Sequence, residues 1–120
     1  MPSSNQQSHQ YDRLTIMVRA IDAFKVCCEV DPPARLIQIF CFVAANDGCL
    51  QADMQEVTGL SESSCSRMIK WLGDWKSDDT RGLGLIRAEV DPVYWRRKKL
   101  YLTSPKGTRL ADLIQTQLEV

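Results

Sequence analysis

Two groups of side chains in this 120-residue chain could do chemistry on a polyanion. The first is the serine-rich run Ser61, Ser63, Ser64 and Ser66, followed by Arg67 and Lys70. Small hydroxyls allow close approach to phosphates or base edges, an arginine can grip a guanine through two parallel hydrogen bonds, and a lysine can neutralise a phosphate. The second group is Tyr94, Trp95, Arg96, Arg97, Lys98 and Lys99, in which four consecutive cations follow two aromatics. Like charges repel and exposed aromatics need a reason, so this cluster reads as a contact to the phosphate backbone or the minor groove of DNA. Each group has a plainer reading: a solvated helix face for the first, and an edge strand guarded from aggregation by its cations for the second.

Other chemistry is thin. His9 is the sole histidine, so neither a His-based catalytic pair nor a Cys/His zinc pattern can be assembled. Asp53 and Glu56 fit a solvated helix face better than an acid pair. The expectation is a non-enzyme without metal or cofactor. Five cysteines, an odd number without an export signal, suggest reduced thiols in a cytoplasmic protein. Cys41 and Cys65 lie on apolar stripes and are expected in the core, whereas Cys27, Cys28 and Cys49 are candidate redox reporters.

The serine-rich run must be positioned by helices. From Leu50 to Trp75 the sequence reads as a short helix from about Ala52 to Thr58, the turn Gly59-Leu60-Ser61, and a longer helix over 62–75. Gly59 suits the left-handed residue that ends a helix, and Ser61 suits the N-cap of the next, which is helix-turn-helix grammar. On the longer helix Cys65, Met68, Ile69, Leu72 and Trp75 form the expected core stripe, with Ser63, Arg67, Lys70 and Asp74 opposite.

Before this motif, Tyr11 to about Cys28 reads as a helix with Leu14, Met17, Val18, Ile21, Phe24 and Cys28 along one face. Asp31-Pro32-Pro33 stops it. Pro33 begins a second helix that runs to about Ala45 and is apolar nearly all round, hence expected at the domain centre or between subunits. Cys49-Leu50 is a candidate short strand. After Trp75, KSDDTRGLG reads as a polar loop. Strands are expected over 85–90 and about 98–103, joined by a tip over 91–97 that carries the cations. Ser104 as N-cap and Pro105 in the first helical position open a last helix with Leu110, Leu113, Ile114 and Leu118 at helical spacing.

Residues 1–10 have neither a basic segment nor an apolar run, and read as a disordered tail rather than a secretory signal. Residues 11–120 are expected to form one domain, mainly α with a small antiparallel β-hairpin wing, and no apolar run approaches the ~20 residues needed to span a bilayer. Net charge is zero but uneven: residues 1–65 carry 4 basic and 8 acidic side chains, residues 66–109 carry 11 and 5. The cations are concentrated in the half that holds the longer helix and the wing, as a nucleic-acid binder requires.

The order helix, helix, short strand, helix, helix, strand, wing, strand, helix resembles the MarR family of winged helix-turn-helix transcription regulators. TGLSESSCSRMIKWL is similar to that family's recognition-helix stretch, and GLIRAEVDP followed by WRRKKLYLTSPKG to its second strand, Asp-Pro wing and the Leu-Thr lead into the next helix. The likeness covers roughly residues 36–113. It departs at Gln55, where the family usually has a small residue, at Tyr94-Trp95 in place of the wing acid, at the additional Ser104, and in the long 76–84 loop. The resemblance implies a homodimeric repressor on a pseudo-palindromic duplex site, with 11–31 and 104–120 as dimerisation helices. Members generally have a longer carboxy-terminal helical region, and many hold a small-molecule effector between the dimer arms and the DNA-binding lobe. An alternative from another class is a winged-helix protein-interaction module, such as a phage or plasmid accessory factor docking on a host protein through Tyr94, Trp95 and Trp71.

Overall fold

The computed structural model describes residues 11, 13–28, 31–94 and 97–119. The expectations for the 1–10 tail, for Trp95 and Arg96, and for the side chains of Cys28 and Leu118 lie outside what is described. Five helices and three strands follow one another as α1 (Leu14–Cys28), α2 (Ala34–Ala45), β1 (Cys49–Leu50), α3 (Gln51–Thr58), α4 (Glu62–Leu72), β2 (Ile86–Val90), β3 (Lys98–Leu102) and α5 (Lys106–Glu119). The strands form an antiparallel sheet in the order β1-β3-β2. This is the winged helix-turn-helix architecture expected from the sequence.

The core forms where the apolar faces of α2, α3 and α4 meet the sheet: Ile39, Phe40, Met54, Cys65, Leu72 and Leu100 are wholly buried. Helix α2 supplies Leu36, Ile39, Phe40 and Val43 to it. Cys41, expected there, is instead exposed on the opposite side of α2. Among the described residues Phe24 is the one fully buried residue of α1; its ring meets Phe40 edge-to-face, with centroids 5.4 Å apart. Such aromatic pairs add about 1 kcal/mol beyond their buried area, and this one ties α1 to the domain. The rest of the α1 stripe, Leu14, Met17, Val18 and Ile21, faces solvent in the single chain. Helix α1 packs along α5, where Leu110 is buried and Leu113 remains exposed.

The turn between α3 and α4 follows its grammar. Gly59 adopts φ 71° and donates its N–H to the Gln55 carbonyl, and Ser61 Oγ accepts from the Ser64 N–H at 3.2 Å. Arg35 of α2 braces the same turn by donating to the Thr58 carbonyl at 2.9 Å.

Several expectations are corrected. Helix α4 ends at Leu72, not Trp75, because the chain turns away at Gly73. Trp75 therefore leaves the core stripe, is half exposed, and carries the Arg81 guanidinium over its ring at 4.7 Å. The segment read as a loop is a hairpin-like excursion, with Gly84 N–H donating to Gly73 O, Gly82 N–H to Asp74 O and Lys76 N–H to Thr80 O. Its close approach requires glycine at 82, where a Cβ would stand 2.0 Å from the Gly73 carbonyl oxygen. Pro33 is the N-cap of α2 rather than its first residue. Helix α5 begins at Lys106, after a cis Ser104-Pro105 bond, so Ser104 is not its cap. Thr103 does that work: its hydroxyl accepts from the Gly107 N–H at 2.9 Å and donates to the Gly84 carbonyl at 2.7 Å.

Candidate nucleic-acid interface

Helix α4 presents Ser63, Arg67 and Lys70 to solvent while Cys65, Ile69 and Leu72 anchor it from beneath. Ser64 and Ser66 sit half-buried on its flanks. The Arg67 guanidinium is free to extend, its one partner among the described residues being the Ser64 hydroxyl at 3.3 Å. Gln51, which opens α3, donates from Nε2 to Ser66 Oγ at 3.4 Å, linking the two helices at their outer edge.

The wing is built by β2 and β3, paired from Ile86 against Leu102 out to Val90 against Lys98. Ile86 and Leu100 hold the base of the hairpin in the core; Ala88 and Val90, on the same side as Ile86, are exposed because the strand runs past the core. At the tip the Asp91 N–H donates to the Arg97 carbonyl, and the Arg97 N–H to the Tyr94 carbonyl. Asp91 Oδ1 accepts from the N–H groups of Val93 and Tyr94 at 2.8 and 3.1 Å. In the sequence Asp91 marks only the start of the tip; the Asp-Pro pair is the signal of a side-chain-capped turn.

The described cations of the run, Arg97, Lys98 and Lys99, do not form one patch. Strand alternation divides it. Arg97 lies over the exposed Tyr94 ring at 4.6 Å, and Arg97 and Lys98 line a concave cleft together with Gln51, Asp53 and Gln55 of α3 and Glu62 and Ser66 of α4. Lys99 points the other way, opposite Glu89 across the strands. The cleft thus joins the first turns of α4 to the wing on one side of the molecule. Lys70 lies at the other end of α4, in a shallower hollow with Trp75, Lys76, Ser77 and Asp78. Gln51, Asp53, Gln55 and Glu62, absent from the sequence-derived site, are cleft residues that a single-helix face does not reveal.

Those backbone N–H groups of Val93 and Tyr94 hold the Asp91 carboxyl below the usual carboxylate range, with Lys99 and Arg97 adding to the effect. A folded-state value below the unfolded one, ~3.9, means the stabilisation is complete above that pH and is lost as pH falls through the lower folded value. Acidification is therefore expected to loosen the wing tip before the core melts. Protection of the Val93 and Tyr94 amides relative to their intrinsic exchange should fall as pH drops below ~3.9 and, in Asp91→Ala, be reduced already at neutral pH; unchanged protection in that variant would refute the role.

No protein-family model and no curated protein matches the sequence. Solved structures do. A MepR variant from S. aureus bound to an oligodeoxyribonucleotide superposes with a TM-score of 0.68 at 17% identity, over 99% of this chain and 77% of its own. MarR gives 0.62 at 17% identity over 99% and 77%, and overoxidized AbfR bound to DNA gives 0.61 at 12% identity over 99% and 80%. The chain has the MarR-type winged-helix fold.

Within this MarR-type fold a cavity of about 490 Å³ opens between α2 and α5, lined by Phe40, Cys41, Ala44, Leu102, Ala111 and Ile114 among others. Its size suits a small molecule. At Cys49 burial pushes the thiol up, a backbone hydrogen bond opposes it, and the carboxylates of Asp53 and Asp47 add to the rise. A reactive thiolate needs the opposite shift. Cys27 is half-buried on α1. Among the described residues no cluster of three or more His, Cys, Asp or Glu could hold a metal, and no helix is long and apolar enough to cross a membrane.

Proposed function

We propose that this chain is a sequence-specific double-stranded DNA-binding transcription regulator, a dimeric repressor that reads the major groove with α4 and the backbone or minor groove with the wing over 91–99. The observation that carries the reading is the shared cleft: Ser66 of α4 and Arg97 and Lys98 of the wing border one concavity, with Arg67 exposed on the same helix. A groove-reading rod and a backbone-reaching finger on one side of a molecule are what duplex recognition needs. Two of the superposed structures, those of MepR and AbfR, are bound to DNA, which supports the same use of the fold here. The exposed α1 stripe supports pairing of two copies.

Selection of bound fragments from random duplex DNA tests the proposal. The expected result is an inverted repeat with half-sites about one helical turn apart. Arg67→Ala should relax specificity at one base pair, at a cost of ~1–3 kcal/mol, with the remaining positions unchanged. An unaltered preference in that variant would remove Arg67 from the reading surface. A second reading, docking on a protein, is favoured by Val93 and Tyr94, which are 75% and 58% exposed at the wing tip. Failure of the protein to be retained on any duplex at low salt would select it.

A further inference from the structure

An acidic side chain among surfaces that meet phosphates weakens binding unless it has a partner of its own. Glu62 is such a residue. It stands in the first turn of α4, exposed, on the wall of the cleft it shares with Ser66, Arg97 and Lys98. Among the described residues its carboxylate has no hydrogen bond or ion pair, although Arg97 and Lys98 line the same concavity. One helical turn on, Ser66 accepts from Gln51 Nε2 at 3.4 Å, which fills one of its lone pairs and leaves the hydroxyl proton available for donation. The cleft wall thus carries an acceptor, Glu62, and four residues later a donor, Ser66.

In the major groove the exocyclic amines of cytosine and adenine are donors, and the guanine and thymine edges offer acceptors. A carboxylate accepts from the cytosine amine, and the first residues of a recognition helix are those that reach base edges. We infer that Glu62 is a specificity-determining residue that accepts a hydrogen bond from the exocyclic amine of cytosine, with Gln51 positioning Ser66 beside it. The inference rests on the DNA-binding reading above. It differs from a role in which Glu62 only complements the α4 dipole, since that role acts on helix stability and is blind to sequence.

The test uses the full chain and the duplex selected by the wild-type protein, with each base pair changed in turn. In Glu62→Ala, discrimination at a single cytosine-bearing position should fall roughly 5- to 100-fold, while affinity for random duplex holds or rises because an anion has left the surface. Glu62→Gln should move the preference at that position towards adenine, which an amide can grip through two hydrogen bonds. Gln51→Ala should blur the neighbouring position and leave the cytosine preference intact. Loss of discrimination at an adenine-bearing position in Glu62→Ala would overturn the cytosine assignment. Equal tightening on every sequence would reduce Glu62 to a helix charge. A wild-type protein without preference for any duplex would remove the DNA reading itself, a result distinct from a discriminating wild type matched by its Glu62 variant.

Discussion

On the proposed dimeric reading, Val18→Asp is expected to leave a folded chain that does not pair with a second copy and that loses about 100- to 10,000-fold in affinity for a two-half-site duplex. The reasoning starts from exposure. Leu14, Met17 and Val18 are 61%, 57% and 59% exposed in the single chain, at the spacing of one helix face, and Leu113 of the adjoining α5 is 51% exposed. A soluble protein rarely leaves a contiguous apolar stripe uncovered, and the same stripe from a second copy would cover it. A carboxylate at its centre would be buried without a partner, which costs several kcal/mol unless the interface opens. Val18 touches little in its own chain, so the monomer's fold should survive. Sedimentation would report the mass and a titration on operator and half-operator duplexes the affinity; an unchanged dimer in Val18→Asp would place the pairing surface elsewhere.

The second large effect is at Gly107. Glycine inside a helix ordinarily costs about 1 kcal/mol relative to alanine, so propensity alone makes Gly107→Ala stabilising. The structure reverses the sign. A Cβ at Gly107 would stand 2.1 Å from the Leu85 carbonyl oxygen and 3.0 Å from Thr103 Oγ1, and the first of these is backbone that no rotamer change can move. The Thr103 hydroxyl could not then keep both its bonds, to Gly107 N–H and to the Gly84 carbonyl. A loss of about 3 kcal/mol or more is expected, at the upper end of overpacking costs, and a fall in melting temperature of roughly 10 °C or more. Thermal unfolding followed by circular dichroism checks it; a melt within about 2 °C of wild type would show that α5 can back away from β2 without penalty.

The helix-turn-helix was legible because its signals are local. Gly59 and Ser61 each fix one backbone group, and the three-and-four spacing of Cys65, Ile69 and Leu72 needs no knowledge of the partner. Where the reading failed, a distant group decided. Trp75 continues the apolar spacing of α4, but Gly73 and the pairing back through Gly82 and Gly84 divert the chain before that residue reaches the core. Ser104 looks like a cap, yet Thr103 wins because its hydroxyl also meets the Gly84 carbonyl, 19 residues away. The four wing cations looked alike in sequence; only pairing with β2 shows that Lys99 turns towards Glu89 while Lys98 faces the cleft. Glu62 was not singled out because the cleft it shares with Arg97 and Lys98 is assembled only through the sheet.

Strand β3 bonds to β1 on one edge and to β2 on the other, and β1 runs directly into α3. The finger and the rod therefore share a spine. On the proposed DNA-binding reading this would make recognition a caliper: the distance from the bases under α4 to the phosphates under the tip is set when the chain folds. On the proposed dimeric reading, two copies would differ in grip only by how the calipers are spaced, with the opening of each one left as it is.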